Sequence, residues 1–269
     1  MRCLVTAAAV LLSVVCDIAH AADSSPITDR FALRAIFFDA SVSSEVRLDS
    51  GSGAGATVGT LISAEDVLGL ASKRPQGRME LMFRVRERNR VRFDYMSLDR
   101  SGNVPLDRTI VFGDNIFFLN EVVASDFNWR MMRFTYTYSF IRNDRFEIGL
   151  GLGADIIQAE VTGRVPARLT GEEASGVAAL PTIALDSTWA ISKRWAFNLR
   201  GQYFGTTVGN VGGSLADYHS DIQYRLRKNL QLGLGYTIDR IKLESTDRDF
   251  PGRFALNTHG PEMFVRASF

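Results

Sequence analysis

The feature that most constrains the fold of this chain is a regular alternation of apolar and polar residues in one segment after another. In residues 230–238 every even position is Leu, Tyr or Ile, and the odd positions are Gln, Gly or Thr. Residues 134–140 alternate Phe or Tyr with Thr or Ser, and 146–156, 195–203 and 216–226 follow the same period. Successive side chains of a strand point to opposite faces of a sheet. The pattern therefore predicts an all-β protein whose strands have one apolar and one polar face.

The connections between these segments separate a membrane barrel from a soluble β-sandwich, which shares the period but turns its apolar face inward. Alternating short and long connections are typical of barrels whose short turns face the periplasm and whose longer loops face outward. Short polar turns fall near 88–90, 142–144, 192–193 and 228–229, and the longer connections are roughly 49–77, 100–118, 163–175, 208–213 and 246–253.

We therefore predict a transmembrane antiparallel up-and-down β-barrel of about ten strands, with eight or twelve strands as the alternatives. Single-chain bacterial barrels have an even number of strands. With ten strands, both ends of the barrel domain lie on the periplasmic side. The stretch 55–70 is compatible with either a further strand or an ordered loop.

Residues 1–21 are predicted to be a secretory signal peptide, which leaves 22–269 as the barrel domain. Arg2 supplies a positive charge, an apolar stretch follows it, and Ala19-His20-Ala21 matches the small-x-small cleavage pattern. Both cysteines, Cys3 and Cys16, fall in the removed segment, so the mature chain is expected to have neither a disulfide nor a thiolate metal site. Lipid attachment at Cys16 is disfavoured because the bulky Val15 precedes it.

The end of the chain carries a second targeting feature. Residues 263–269 alternate in the same way and finish on Phe269, an ending that resembles the signal by which outer-membrane barrels are recognised for assembly. We expect the barrel-assembly machinery to be a partner during biogenesis. Together with the amino-terminal signal, this ending predicts that the protein lies in the cell outer membrane.

Aromatic residues and charge support the same location. Five aromatic residues fall beside the short turns or the end of the chain, as expected of a girdle at one membrane interface: Phe140, Phe146, Trp189, Trp195 and Phe269. The full chain has 31 basic and 30 acidic residues, so it lacks the positive charge that nucleic-acid binding requires. The expected partners are outer-membrane lipid and lipopolysaccharide, and the expected state is a monomer.

The predicted inward positions carry many charges of both signs. Eight-stranded barrels are just filled by side chains, whereas sixteen or more strands leave an aqueous channel, so ten strands favour a filled lumen. Buried charges are tolerated when they pair, and we expect ion pairs among Arg84, Arg200, Arg225, Arg266, Glu147, Asp186 and Glu262, with Arg86, Arg92, Arg133, Glu80, Asp94, Asp217 and Asp221 also facing inward. Glycine stripes at 149–153 and 233–235 either make room for arginines or leave a narrow hydrated path.

One group of inward-facing residues has side chains that could act in catalysis. Asp217, His219 and Asp221 share the inward face of one strand, and a carboxylate–histidine arrangement can activate water. Ser220 points to the opposite face and cannot act as a nucleophile for His219. The omptin family of outer-membrane proteases is ten-stranded and uses acidic and histidine residues, but its motifs are not found here. We expect a structural trio, no enzymatic activity, and neither a cofactor nor a metal, because two histidines and no cysteine remain after residue 21.

Several segments resemble a group of uncharacterised proteobacterial outer-membrane β-barrel proteins. The resemblance lies in Asp99-Arg100-Ser101-Gly102, in 106–114, in Tyr136-Thr137-Tyr138-Ser139-Phe140 and in Glu147-Ile148-Gly149-Leu150. Residues 65–70 also resemble that group, although Val67 departs from the usual Asp-Asp-Leu-Gly-Leu pattern. The resemblance implies a barrel in the outer membrane and assigns no catalytic residue.

The function expected from these observations is that of an integral outer-membrane barrel with a largely plugged, ion-paired lumen, which acts through its loops and its lipid contacts. A narrow channel for small solutes or ions is the alternative from the transport class. A hydrolase at the rim of the lumen, omptin-like or lipid-modifying, is the third hypothesis.

Overall fold

A computed structural model describes residues 25–50, 57–167, 170–246 and 251–269, and the predicted signal peptide lies outside them. These residues form antiparallel strands: β1 (Phe31–Leu48), β2 (Ile62–Ser63), β3 (Lys73–Arg86), β4 (Asn89–Pro105), β5 (Ile110–Phe112), β6 (Asn115–Phe117), β7 (Val122–Arg142), β8 (Phe146–Val165), β9 (Thr170–Ala190), β10 (Trp195–Val208), β11 (Val211–Arg227), β12 (Leu230–Thr246) and β13 (Pro251–Ser268). None of the described segments forms an apolar helix of membrane-spanning length.

Ten of the strands close into a barrel, so the predicted fold class and strand number are confirmed. The sheet runs from β13 back to β7 through each consecutive strand, continues through β4 and β3 to β1, and closes where β1 pairs with β13. That closing ladder extends from Ala32–Ser268 to Leu48–Gly252. The stretch 55–70 is mainly an ordered loop, because within its described part only the two residues of β2 pair with β1.

The outer surface carries the apolar faces of the strands. Large apolar side chains with at least a third of their surface exposed occur on every barrel strand, among them Phe37, Phe83, Tyr95, Phe134, Leu152, Ile183, Leu199, Tyr218, Leu234 and Met263. The five aromatic residues of the predicted girdle all lie at the barrel end that has the short turns. Apolar side chains remain exposed in this way when the surrounding medium is hydrocarbon.

The predicted lengths of the outer connections are wrong at two places. β10 and β11 join through Gly209 and Asn210 alone, where 208–213 was predicted as a longer loop. β8 continues to Val165 and β9 begins at Thr170, so most of 163–175 is strand. The strands extend beyond the apolar band as small and polar residues, and such residues keep the ladder without showing the apolar alternation. Of the connection 246–253, residues 247–250 lie outside the described residues.

The lumen is divided into two layers. On the periplasmic side it is filled by buried charged residues, called here the charged layer: Asp29, Arg34, Arg78, Glu80, Arg84, Arg90, Asp94, Arg133, Glu147, Asp155, Asp186, Arg200, Asp217, His219, Asp221, Asp239, Glu262 and Arg266. On the outer side it is filled by an apolar layer that includes Phe38, Met96, Phe127, Trp129, Met131, Ile157, Leu180, Phe204, Leu215, Ile241, Phe254 and Leu256.

Two outer loops complete the apolar layer from above. The loop between β1 and β3 buries Ile62, Ala64, Val67, Leu68 and Leu70 in it. The loop between β4 and β7, which contains the β5–β6 hairpin, contributes Leu106, Ile110, Phe112 and Phe117. Both loops therefore fold into the mouth of the barrel.

Candidate functional site in the barrel lumen

The charged layer is held by ion pairs that cross the lumen. Arg84 on β3 donates from Nη1 to Oε1 of Glu147 at 2.8 Å and from Nη2 to Oε2 at 3.0 Å. Glu147 is on β8, and β4 and β7 lie between the two strands on that side of the wall. Ser139 donates a further hydrogen bond to Glu147 at 2.5 Å. The carboxylate is thereby satisfied by several donors, as burial of a charge requires.

Asp186 and Glu80 each receive more than one guanidinium. Arg90 Nη1 lies 3.2 Å from Asp186 Oδ1, and Arg92 donates to the other oxygen of Asp186. Arg200 donates to Glu80, and Arg92 Nε lies 3.4 Å from the same carboxylate. These contacts connect β3, β4, β9 and β10 through one network.

Three further residues that were predicted to face the lumen lie closer to its periplasmic end. Arg266 donates to Asp29 at 2.7 Å, and Asp29 belongs to the segment that precedes β1. Arg225 is only half-buried near the end of β11. Arg86, predicted to face the lumen, is exposed, because the register between β3 and β4 shifts between Arg84 and Arg86.

The glycine stripes are filled by neighbouring side chains. A Cβ at Gly149 would lie 3.3 Å from Nη2 of Arg90, and one at Gly233 would lie 2.0 Å from the Phe264 ring. At Gly235 it would lie 3.0 Å from Oε1 of Glu262. The space that these glycines leave is therefore taken by Arg, Phe and Glu.

His219, the central residue of β11, lies at the core of the charged layer. Its Nδ1 is 2.7 Å from the Thr237 hydroxyl, which donates to Glu262 at 2.7 Å. The hydroxyl has one proton and gives it to the carboxylate, so it accepts a hydrogen bond from a protonated Nδ1. Nε2 lies 2.8 Å from both Arg78 Nη1 and Asp217 Oδ1. Both ring nitrogens are therefore occupied by protein groups.

The predicted trio of Asp217, His219 and Asp221 is not a single unit in the structure. Asp221 accepts hydrogen bonds at 3.0 Å from both terminal nitrogens of Arg34, and it accepts one from Asn198 at 2.7 Å. The other carboxylates near His219 are Glu262, whose Oε2 lies 3.8 Å from Nδ1, and Asp239, which pairs with Asp217 across β11 and β12. The sequence offers a signal for Asp239, because it is the next inward position after Thr237.

Asp217, His219 and Asp239 form a buried cluster whose ligand atoms lie within 4.8 Å of one another. Arg133 supplies positive charge to this cluster: it donates to Asp155 at 3.1 Å and to Asp217, and its Nη2 lies 3.8 Å from Asp239. A cation would have to compete with this guanidinium. The adjoining cavity has a volume of about 10 Å³, the space of roughly one water probe. The cluster therefore has no room for a substrate in this conformation.

A polar contact fixes the loop of β2 inside the apolar layer. Glu65 accepts hydrogen bonds at 2.8 Å from both the backbone amide and the hydroxyl of Ser44 on β1. It also pairs with Arg100 on β4, which donates to the Ser44 hydroxyl at 2.7 Å and lies over the Phe127 ring. We call Glu65, Arg100 and Ser44 the latch. Sequence reasoning did not assign a role to these residues, although Glu65 and Arg100 belong to segments that carry the family resemblance.

Phe269 lies beside the point at which the barrel closes. Its amide donates to the carbonyl of Phe31 at 2.9 Å, and its own carbonyl accepts a hydrogen bond from Arg30 at 2.7 Å. The rings of Phe31 and Phe269 are 6.4 Å apart. The terminal residue thus joins the last strand to the first.

No protein-family model and no curated protein matches the sequence. Among solved structures, the outer membrane protease OmpT from Escherichia coli is similar with a TM-score of 0.59 and 9% identity, over 88% of this chain and 97% of that chain. The translocator domain of the autotransporter NalP from Neisseria meningitidis has a TM-score of 0.41 and 9% identity, over 98% of this chain and 95% of that domain. At these identities the likeness concerns the fold alone.

The closed ladder, the exposed apolar band and the likeness to OmpT agree with one another. They make this chain an outer-membrane β-barrel. At 9% identity the likeness to OmpT shows the fold, and the role of this chain depends on its own lumen and surface.

Proposed function

We propose that this protein is an outer-membrane barrel with a lumen closed to solutes, which acts through its lipid-facing surface and its outer loops and has no enzymatic activity. The observation that carries the proposal is the division of the lumen into a charged and an apolar layer. A water-filled pore needs a continuous polar lining, whereas here the inward residues change from charged to apolar at one level on several strands.

The change from polar to apolar occurs between successive inward positions. Inward Asp155 is followed by Ile157 on β8, Asp217 is preceded by Leu215 on β11, and Asp239 is followed by Ile241 on β12. Arg133 and Met131 on β7 make the same change. An ion that crossed this level would lose its hydration without gaining polar partners, which is costly.

The charged layer itself leaves little space. A cavity lined by Arg34, Glu80, Arg90, Arg92 and Asp186 among others has a volume of about 30 Å³, and the one beside His219 has about 10 Å³. Cavities of this size hold single water molecules. This supports a closed lumen over the alternative of a narrow channel.

The outer edge of the apolar band supports interaction with lipopolysaccharide. Arg130 on β7 and Arg240 and Lys242 on β12 are exposed and point outward. They lie next to the apolar band in the sequence of their strands, at the level where phosphate groups of outer-leaflet lipid are found. Guanidinium groups bind phosphate through two hydrogen bonds.

Conductance of the refolded protein in planar bilayers tests this proposal. We expect no steady ion conductance from the native chain after its insertion has been verified by heat-modifiable migration on gels. A large and steady conductance would overturn the closed-lumen proposal and favour the channel.

A further inference from the structure

The ladder between β9 and β10 ends thirteen residues before the outer end of β9 and five residues before the outer end of β10. Pairing stops at Ile183–Tyr203, although β9 extends outward to Thr170 and β10 to Val208. Among the described residues, no pairing joins these outer parts, whereas β9 remains paired with β8 along its length. The barrel wall therefore has a lateral gap between β9 and β10.

Pro181 explains why the ladder stops where it does. The Ala190 amide donates to Arg145 on the β8 side, and backbone groups of successive residues in a strand alternate between its two neighbours. Odd residues of β9 thus direct their backbone groups to β10. The next pair beyond Ile183–Tyr203 would be Pro181 with Gly205, and proline has no N–H to donate.

The gap opens within the apolar outer surface. Pro181, Ala179 and Val177 follow one another on the outward face of β9, and Val177 is 68% exposed. On β10, Thr206 occupies an inward position by the alternation of its strand and is nevertheless exposed. The exposed surface at Pro181, Ala179 and Val177 is apolar.

Behind the gap, β9 borders a cavity of about 490 Å³. Its lumen side is lined by Ile157, Ala159, Gly176, Ala178, Leu243, Ser245 and Phe254, and its outer rim by Asn128, Arg130, Gln158, Glu160, Ser175 and Val177. The lumen side carries no charge, and small residues on β8 and β9 create the space. The volume falls in the range of ligand-binding pockets.

We propose that this cavity binds an acyl chain of an outer-leaflet lipid, which enters sideways through the gap between β9 and β10. The apolar lumen side suits a hydrocarbon chain. Unpaired backbone N–H and C=O groups are costly in hydrocarbon. The unpaired edge of β9 therefore favours a lipid whose acyl chain carries an ester or amide group, because that group can hydrogen-bond with the backbone. Trp129 lies directly behind the cavity wall: it is fully buried, and its ring stacks on the lining residue Phe254 at 5.3 Å.

This inference deepens the lipid-contact part of the proposed function and rests on it. The two can fail separately, because conductance reports on the lumen as an aqueous path, whereas lipid in the cavity is detected by its proximity to Trp129, whose ring stacks on the lining residue Phe254.

Fluorescence quenching of Trp129 tests the inference. The chain has three tryptophans, and Trp189→Phe with Trp195→Phe leaves Trp129 as the single fluorophore. This background protein is inserted into phosphatidylcholine vesicles whose acyl chains carry bromine, a short-range quencher. We expect strong quenching of Trp129 in brominated vesicles relative to unbrominated ones.

Two pairs of variants identify the route. Ala178→Leu fills the cavity and should remove most of the quenching, whereas Ala179→Leu places the same bulk on the lipid side and should not. Pro181→Ala restores an N–H at the end of the ladder and should reduce quenching, and Pro261→Ala, on the outward face of β13, is the control. Every variant is first checked for heat-modifiable migration.

Equal quenching in the native background and in Ala178→Leu would overturn the inference, because the bromine would then act from the surrounding bilayer. Quenching by aqueous iodide without quenching by brominated lipid would overturn it as well, because it would make the cavity a water-filled recess.

Discussion

Arg84 and Glu147 form a doubly hydrogen-bonded ion pair between strands that are not neighbours in the barrel wall. The side chain of Arg84 is 3% exposed and that of Glu147 is fully buried. Such a pair joins two separate parts of the wall through the lumen.

Removing one partner of this pair should be strongly destabilising. Arg84→Ala would leave a buried carboxylate with reduced compensation, and we expect the free energy of unfolding to fall by about 3–5 kcal/mol. Urea unfolding in detergent micelles measures it. Arg108→Ala is the control, since the Arg108–Asp107 pair is largely exposed and should contribute less than about 1 kcal/mol. Equal effects of the two substitutions would contradict a buried network.

The latch should control the position of the loop between β1 and β3. Glu65→Gln removes the charge that faces Arg100, so we expect faster hydrogen exchange of the amides of Val67 and Leu70, which donate to Ser63 and Ala64 within the loop. Mass spectrometry of peptides that cover 62–70 measures the exchange. Asp66→Asn alters the exposed neighbour and should leave the rate unchanged. Unchanged exchange in Glu65→Gln would show that apolar packing alone holds the loop.

Close packing of the same loop on β4 depends on the absence of a side chain at Gly102. A Cβ there would lie 2.1 Å from the carbonyl oxygen of Leu68, so Gly102→Ala should displace the loop and lower stability by about 1–3 kcal/mol. Gly77→Ala is the matched control on β3, because a Cβ at Gly77 meets nothing within 4 Å. Thermal unfolding of both variants separates the contact from a general effect of replacing strand glycine.

His219→Gln should reduce stability without removing an activity. The substitution disturbs the hydrogen bonds with Thr237, Arg78 and Asp217, for which we expect a loss of about 1–3 kcal/mol. His259→Gln, at an exposed position of β13, is the control. Purified protein is also incubated with lipopolysaccharide, phospholipid and a basic peptide. Turnover by the native chain that disappears in His219→Gln would overturn the proposal that the protein is not an enzyme.

Deleting Phe269 should lower the amount of folded barrel in the outer membrane. The residue ends the strand that pairs with β1, and its backbone contacts Phe31 and Arg30. Phe269→Tyr keeps the aromatic ending and should assemble normally. Quantification of heat-modifiable protein in membrane fractions distinguishes the two, and normal levels of the deletion variant would contradict an assembly role.

Strand alternation was sufficient to predict the barrel and the lumen-facing position of Arg84, Glu147 and His219. It could not predict which charges meet, because Arg84 reaches Glu147 across the lumen and that distance depends on the closed circumference. It grouped Asp221 with His219 by their spacing on one strand, whereas Arg34 from β1 draws Asp221 into another contact.

The apolar layer shows a second limit. The change from Asp155 to Ile157, or from Asp239 to Ile241, keeps the phase of the strand and alters only the polarity of inward positions. On a single strand, an inward apolar residue is only an irregularity in the alternation. The apolar layer becomes visible when several strands are aligned in register. In the sequence, the lateral gap is indicated by Pro181. The effect of this proline depends on whether its backbone groups face β8 or β10.

The apolar layer also separates the ion pairs beneath it from the medium outside the cell. Mobile ions weaken interactions between exposed charges, but they act far less on charges to which they have no access. A barrel built in this way should unfold at nearly the same temperature in dilute buffer and in brine, because its charged residues are buried.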